Sequence, residues 1–392
     1  MSGALDGLRV LDLTRLLPGG YATLLLADLG ADVVKVEEPG RGDYIRLIPP
    51  MAGEASSGHV ALNRNKRSIT LNLKTDEGRA VLKELVPSFD VVVESFRPGV
   101  MNRLGVGWDA LRSVHPRLVY CAITGYGQDG PRAQTAGHDI DYVAYAGALA
   151  MTGERGGRPV VPALQIGDLA GGAMAAAISI LAALRKRDAT GEGEFCDVSM
   201  TDGVVSWLSI HAASFFATGD VPRRGEMHLS GAYPCYRVYP AADGWLAVGA
   251  LEPQFWTALC DAIERPDLGG DGFATGARRD AVVAELEALF ATRMRAEWME
   301  RLGGVDACVA PVNDLRETFS DEQVVHRGMV VEAPLSDGRP WRHVAGPVRL
   351  AGAPADPARR PPPALGEHTE EVLLGAGIDA RRVERLRAAG VL

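Results

Sequence analysis

The first forty residues constrain this chain more than any other feature. Leu8-Arg9-Val10-Leu11-Asp12-Leu13 reads as a buried strand, and Asp32-Val33-Val34-Lys35-Val36-Glu37 reads as a second. Between them Leu17-Pro18-Gly19-Gly20 predicts a turn, and residues 21–29 predict a helix stopped by Gly30. A strand–helix–strand opening builds a parallel pair, and Val91-Val92-Val93 and Leu118-Val119-Tyr120-Cys121-Ala122-Ile123 extend the pattern after amphipathic stretches such as residues 78–85. The expected fold class is therefore α/β: a large Rossmann-like parallel-sheet domain with helices on both faces.

A chain of 392 residues is too long for one ordinary core, so a second domain is expected. Residues 171–184 form a long Ala-rich helix that ends on Arg185, Lys186 and Arg187, as the helix dipole favours. After Ser230 the pattern turns to short strands. Tyr236-Arg237-Val238-Tyr239, then Asp243-Gly244, then Trp245-Leu246-Ala247-Val248 read as a hairpin. This places a smaller α+β domain over residues 225–329, after a first part of the large domain over 1–224. The proline-rich run 353–364 reads as an extended connector.

Composition narrows the function classes. A net charge of −9 disfavours broad nucleic-acid or anionic-membrane binding and leaves room only for a local phosphate seat. Met1 to Asp12 shows no basic segment leading into an apolar one, and no stretch approaches the ~20 apolar residues of a membrane span, so a cytoplasmic location is expected. Five cysteines, odd in number and far apart, argue against disulfides and zinc. The histidines likewise lack metal-ligand spacing, so neither a metal nor a redox cofactor is expected.

A nicotinamide dehydrogenase would suit the opening, with Glu37 or Glu38 as the ribose-binding acid. However, Leu17-Pro18-Gly19-Gly20-Tyr21-Ala22 lacks the GxGxxG that lets backbone approach a pyrophosphate. Arg64, Lys66, Arg67 and Lys74 crowd a short stretch of an otherwise acidic chain. They form either a solvated face beside a strand over residues 68–73 or a phosphate seat, and Phe96-Arg97-Pro98-Gly99 and Arg103 strengthen the second reading.

Several motifs in order carry a resemblance that spans the chain. They are Leu5-Asp6-Gly7, Leu29-Gly30-Ala31-Asp32-Val33-Val34-Lys35-Val36-Glu37, Asn63-Arg64-Asn65-Lys66-Arg67-Ser68-Ile69, Glu94-Ser95-Phe96-Arg97-Pro98-Gly99-Val100, Thr124-Gly125-Tyr126-Gly127-Gln128 and Cys308-Val309-Ala310-Pro311-Val312. Together they resemble the family III CoA-transferases. The resemblance implies that coenzyme A, as part of an acyl-CoA substrate, is seated by Arg67, Leu73, Lys74, Phe96, Arg97 and Arg103. It also implies an interlocked homodimer, with residues 330–392 returning to the large domain.

Two chemistries exist in that family, and both use Asp168, in Gln165-Ile166-Gly167-Asp168-Leu169-Ala170-Gly171-Gly172. In the transferases the matching aspartate attacks the thioester and carries the acyl group. In the racemase branch it is one of two acid/base groups, and that branch carries a Gly-His-Asp motif like Gly137-His138-Asp139 here. Glu252, in Val248-Gly249-Ala250-Leu251-Glu252-Pro253, would orient the histidine from the partner chain. The resemblance thus implies an α-methylacyl-CoA racemase chemistry acting on branched acyl thioesters of lipid metabolism, with CoA transfer through an Asp168 acyl intermediate as the alternative. Against the racemase branch stands Glu37-Glu38-Pro39-Gly40, where that branch carries an arginine.

Racemisation beside a thioester carbonyl needs two groups on opposite faces of one carbon, with similar working pKa values. The aspartate must therefore be raised by burial, while an imidazole ordinarily titrates near neutrality. Amides at the start of the 171–184 helix are expected to stabilise the thioester oxygen as charge develops.

Overall fold

Burial on alternate faces organises the large sheet. The computed structural model describes residues 3–53, 55–353 and 355–392, so that one connector residue, Pro354, lies outside the described set. Six strands form a single parallel sheet: β1 (Arg9–Asp12), β2 (Asp32–Glu37), β3 (Lys66–Thr70), β4 (Val91–Glu94), β5 (Val119–Thr124) and β6 (Glu194–Ser199). Val10, Val33, Val91 and Val119 enter one apolar cluster, while Leu11, Val34, Val92 and Tyr120 enter another. Successive strand residues are apolar because both faces are covered. Helices Leu16–Asp28 and Ala175–Thr190 pack on one side; Asp76–Leu85, Trp108–Val114, Thr369–Gly375 and Ala380–Ala388 pack on the other. The expected α/β class holds.

The strands lie in the order β3-β2-β1-β4-β5-β6. The chain runs outward from β1 in one direction, then returns to lay β4 on the other side of β1. A doubly wound sheet with this reversal opens a crevice beyond the carboxyl ends of β1 and β4.

Two helices differ from expectation. Residues 17–20 are not a turn but the first turn of Leu16–Asp28: proline is tolerated there, and Gly19 packs so closely on Thr14 that a Cβ would lie 2.2 Å from the Thr14 Cβ. The Ala-rich helix starts at Ile166, with a wide π-type stretch over Ile166–Met174 that continues into Ala175–Thr190. Asp168 therefore sits inside the first turn rather than ahead of the helix. This 25-residue element is long and apolar enough by composition to cross a membrane, contrary to the expectation that no such stretch exists. Here Ala173, Ala176, Ile180 and Ala183 pack against the sheet.

Contacts divide the chain into two units. The first comprises Met1–Ala146, Ala163–Leu208 and Glu322–Leu392; the second comprises Gly147–Pro162 and Ser209–Asp321. The second unit holds the antiparallel strands Tyr236–Ala241, Gly244–Gly249 and Val309–Pro311 against helices Pro253–Ala262, Gly276–Phe290 and Arg295–Leu302, around Tyr239, Leu246, Trp256, Phe290 and Trp298. In the first unit the C-terminal chain is stitched to the β3 edge. His368 N–H donates to the Ser68 carbonyl at 2.9 Å, Asn65 N–H to Arg360 at 3.0 Å and Asn72 N–H to Val391 at 2.8 Å.

Three cations of the basic run are buried in ion pairs. Arg64 pairs with Asp28 at 2.5 Å, Arg67 pairs with Asp32 at 2.5 Å and Glu371 at 2.9 Å, and Lys66 pairs with Asp12 at 3.1 Å. Lys66 Nζ also donates to the Gly20 carbonyl, Thr23 Oγ1 and Asn63 Oδ1. Beside it Lys35 bonds the Thr14 carbonyl at 2.9 Å and Asp43 at 3.1 Å. Burial opposes ionisation of Asp12, yet Lys35 and Lys66 hold its carboxyl well below the usual range. These cations neutralise acids inside the fold, and of the four only Lys74 reaches solvent.

Breaking one partner of such a cluster leaves an uncompensated buried charge. Asp12→Asn is expected to lower stability by about 3–5 kcal/mol. Urea unfolding should show a lower midpoint at an unchanged slope, and a loss below ~1 kcal/mol would show that the network is dispensable.

Candidate active site

Two cavities occupy the crevice at the β1–β4 reversal. The smaller, about 230 Å³, is lined by Leu13, Thr14, Arg15, Glu38, Leu73, Lys74 and Phe96 among others. The larger, about 500 Å³, is lined among others by Arg15, Tyr44, Phe96, Arg97, Tyr126, His138, Tyr142 and Asp168. Arg15 and Phe96 line both, with the Arg15 guanidinium carbon 5.3 Å from the Phe96 ring centroid, a cation–π contact that joins the two spaces.

The sheet sets these positions. Arg15 follows β1, and Leu16 after it has φ +58°, a left-handed conformation that costs a branched residue energy. Leu16 tolerates it because its N–H is held by both Asp43 carboxylate oxygens, at 3.1 and 3.3 Å, and Asp43 is itself anchored by Lys35. The buried charges thus direct Arg15. Phe96 and Arg97 follow β4, and Phe96 N–H donates to Glu94 at 2.7 Å. Burial pushes the Glu94 carboxyl up to about 7.

His138 immediately precedes helix Asp139–Tyr145. Its N–H donates to Asp141 at 2.9 Å, and the Tyr142 hydroxyl donates to the Gly137 carbonyl at 2.5 Å, so the loop is braced on both sides of the imidazole. Asp168 enters from the π-type stretch, and its N–H donates to Asp139 Oδ1 at 2.9 Å. Burial, then the Asp139 charge, push the Asp168 carboxyl up to about 6 against the opposing pull of His138. This is the direction that a proton-exchanging carboxyl requires. Tyr126 packs edge-on against Tyr142 at 5.2 Å and completes an aromatic wall.

The structure therefore brings His138, Asp168, Phe96 and Arg97 to one cavity, and Leu73, Lys74 and Phe96 to its neighbour. Lys74 pairs with Glu38 at 2.6 Å there. Arg103 is exposed at the end of helix Val100–Arg103 and lines neither. Arg67 lies buried between Asp32 and Glu371, outside both. Glu252 belongs to the second unit, exposed, where it caps helix Pro253–Ala262 through its main chain. The oxyanion role expected of the amides from residue 171 onward does not fit, because Gly171 and Gly172 are inside the helix and packed on Met200 and Val204. Arg15, Tyr126 and Tyr142 were not singled out from sequence. Arg15 follows the first strand directly, but that position marks a site only once the strand order is known.

The chain matches the model of CoA-transferase family III over residues 5–369. It is 36% identical to the succinyl-CoA:glutarate CoA-transferase of Mus musculus over 99% of this chain and 90% of that protein. It is 35% identical to the alpha-methylacyl-CoA racemase of Homo sapiens over 99% of this chain and 97% of that protein. A crystal structure of a CAIB/BAIF family protein from Brucella suis superposes with a TM-score of 0.83 at 32% identity, covering 97% of this chain and 100% of that one.

A carboxyl raised to about 6 costs stability when it ionises. Its favourable contribution is complete below the unfolded value near 3.8 and disappears as pH rises through 6. Asp168→Asn should therefore match wild type in thermal stability near pH 4 and exceed it at pH 7–8, by on the order of 2 kcal/mol. Equal melting temperatures at both pH values would contradict the burial argument.

Proposed function

The chain belongs to CoA-transferase family III, and from that membership we propose that it epimerises the 2-methyl centre of acyl-CoA thioesters through His138 and Asp168. One observation carries the reading: the imidazole and the carboxyl open onto the same cavity, and the carboxyl is raised to about 6. In one direction the Asp168 carboxylate takes the α-proton, the C–H electron pair passes into the thioester carbonyl as an enolate, and protonated His138 returns a proton to the opposite face. The enantiomer runs the roles in reverse. Only protons move: one turnover leaves Asp168 protonated and His138 neutral, and proton exchange of both groups with water restores the starting state for the next.

The CoA moiety is proposed to occupy the adjoining cavity, with Leu73 and Phe96 against it and Lys74, Arg97, Arg103 and Arg15 near its phosphates. A guanidinium pairs with phosphate in two-pronged fashion, which suits Arg97 and Arg15. Arg67 is engaged by two carboxylates, so this seat is drawn without it. The interlocked homodimer is proposed as well, with Glu252 of one copy steadying His138 of the other. Exposed apolar residues support a partner: Ile178 in the long helix is 68% exposed and Phe216 in the second unit is 80% exposed. A cytoplasmic setting is proposed, supported by unpaired cysteines that are mostly buried.

CoA transfer between carboxylic acids is the second reading, and the similarity to a succinyl-CoA:glutarate CoA-transferase favours it. Asp168 would then attack the thioester carbon, expel the CoA thiolate and carry the acyl group as a mixed anhydride.

Incubation with one enantiomer of a 2-methylacyl-CoA in deuterium oxide separates the readings. Epimerisation is expected to deuterate the α-carbon without an added acid, to stop in His138→Ala and to show a raised KM in Arg97→Ala. No exchange, together with new thioesters on adding free acids and hydroxylamine trapping at Asp168, would establish transfer instead. Co-refolding inactive His138→Ala chains with Glu252→Gln chains should restore activity above that of either alone. Failure to complement would remove the shared site.

A further inference from the structure

Asp139 has no role in the mechanism above, yet its carboxylate is the direct link between the two segments that carry the reacting groups. It follows His138 in sequence and occupies the first turn of helix Asp139–Tyr145. Across the cavity wall its Oδ1 accepts the Asp168 main-chain N–H at 2.9 Å. First-turn amides of a helix lack intrahelical acceptors, so this bond satisfies a donor that the fold otherwise strands.

The approach is close. A Cβ on Gly167 would lie 3.0 Å from Asp139 Oδ1 and 3.4 Å from the Tyr142 Cβ, so glycine at 167 is what lets the segments meet. Tyr142 belongs to the same short helix and binds the Gly137 carbonyl, so the His138 loop and the Asp168 turn are fastened to one small frame.

The carboxylate also carries a charge. Among the described residues Asp139 forms no ion pair with a lysine, arginine or histidine. The groups acting on Asp168 are Asp139, which disfavours its ionisation, and His138, which favours it; Tyr142 faces it as a phenol. Of the other elements packed on this turn, helix Leu16–Asp28 has Asp28 engaged by Arg64, and helix Met200–Trp207 has Asp202 acting on Asp197 in β6. Arg97 bears on Tyr142.

We propose that Asp139 is a positioning residue with two separable effects: its oxygen clamps the Asp168 turn against the His138 loop, and its unpaired negative charge keeps the Asp168 carboxyl available as a proton donor. The assignment deepens the epimerisation reading and rests on it for its catalytic consequence. The electrostatic consequence stands by itself, because it is read on Asp168 without turnover.

Two variants separate clamp from charge. Asp139→Asn keeps an oxygen for the Asp168 N–H but removes the charge, whereas Asp139→Ala removes both. Carbon-13 NMR of labelled aspartate carboxyls, with Asp168→Asn for assignment, should place the Asp168 midpoint in Asp139→Asn lower than in wild type by roughly one pH unit. Its kcat at pH 7, in the direction that needs Asp168 to donate, should fall about 10-fold and recover toward lower pH, with the thioester KM within about 2-fold. Asp139→Ala should lose about 100-fold in kcat at every pH, again with KM held. An unchanged Asp168 midpoint in Asp139→Asn overturns the charge effect, and equal kcat profiles for the two variants overturn the clamp. If wild type does not exchange deuterium while the midpoint still moves, the epimerisation reading fails and the electrostatic role of Asp139 stands.

Discussion

Lys66 at the start of β3, Asp12 at the end of β1, Lys35 within β2 and Asp43 beyond β2 form a buried chain of alternating charge, and the rest of the crevice depends on it. Each ion is almost without solvent contact, so each is tolerable only while its counter-ion is in place. The network joins β1, β2 and β3 to the first helix: Lys66 reaches Gly20 and Thr23, and Lys35 reaches Thr14. Through Asp43 it also restrains Leu16 in a left-handed conformation. Arg15, whose side chain joins the two cavities, is carried by that restrained segment.

The same interior explains why so many cations do not meet ligand. A cluster of arginine and lysine in an acidic protein suggests an anion site, yet Arg64, Lys66 and Arg67 are matched one by one with Asp28, Asp12 and Asp32. The cations left for a phosphate are those on the loops after the strands. This division follows from desolvation: an ion pair committed to the core cannot turn outward without leaving its partner unpaired.

At the larger cavity the electrostatics run the other way. Asp168 is half-buried, is joined by no ion pair among the described residues and lies beside a second carboxylate, so it ionises reluctantly. A carboxyl held in this way costs stability at the pH where it ionises. The glycines around it serve close packing: Gly171 and Gly203 approach each other so nearly that a Cβ on Gly203 would fall 2.3 Å from the Gly171 carbonyl oxygen. The segment from residue 171, whose amides were expected to meet the thioester oxygen, is instead a helix-to-helix contact.

Much was legible in the residues themselves. Short apolar cores at 10–11, 33–34, 91–93 and 119–123 specify strands covered on both faces, and the hairpin at Tyr236–Ala241 and Gly244–Gly249 follows from its strand–turn–strand chemistry, because period and turn preference are local properties. The motifs around His138 and Asp168 are local too, and the structure brings both residues to one cavity. Helix starts are not local: the packing of Gly19 on Thr14 decided that residues 17–20 are helical, and the Asp139 bond to the Asp168 amide stabilises a turn that begins at Ile166. Strand order, the pairing of each cation with its acid and the meeting of Asp139 with Asp168 link positions far apart in the chain. Local pattern carries no record of such distances, so the sequence alone settled which pieces exist and what chemistry they bear, and only the tertiary structure decided which charges are consumed by the core and which face the crevice.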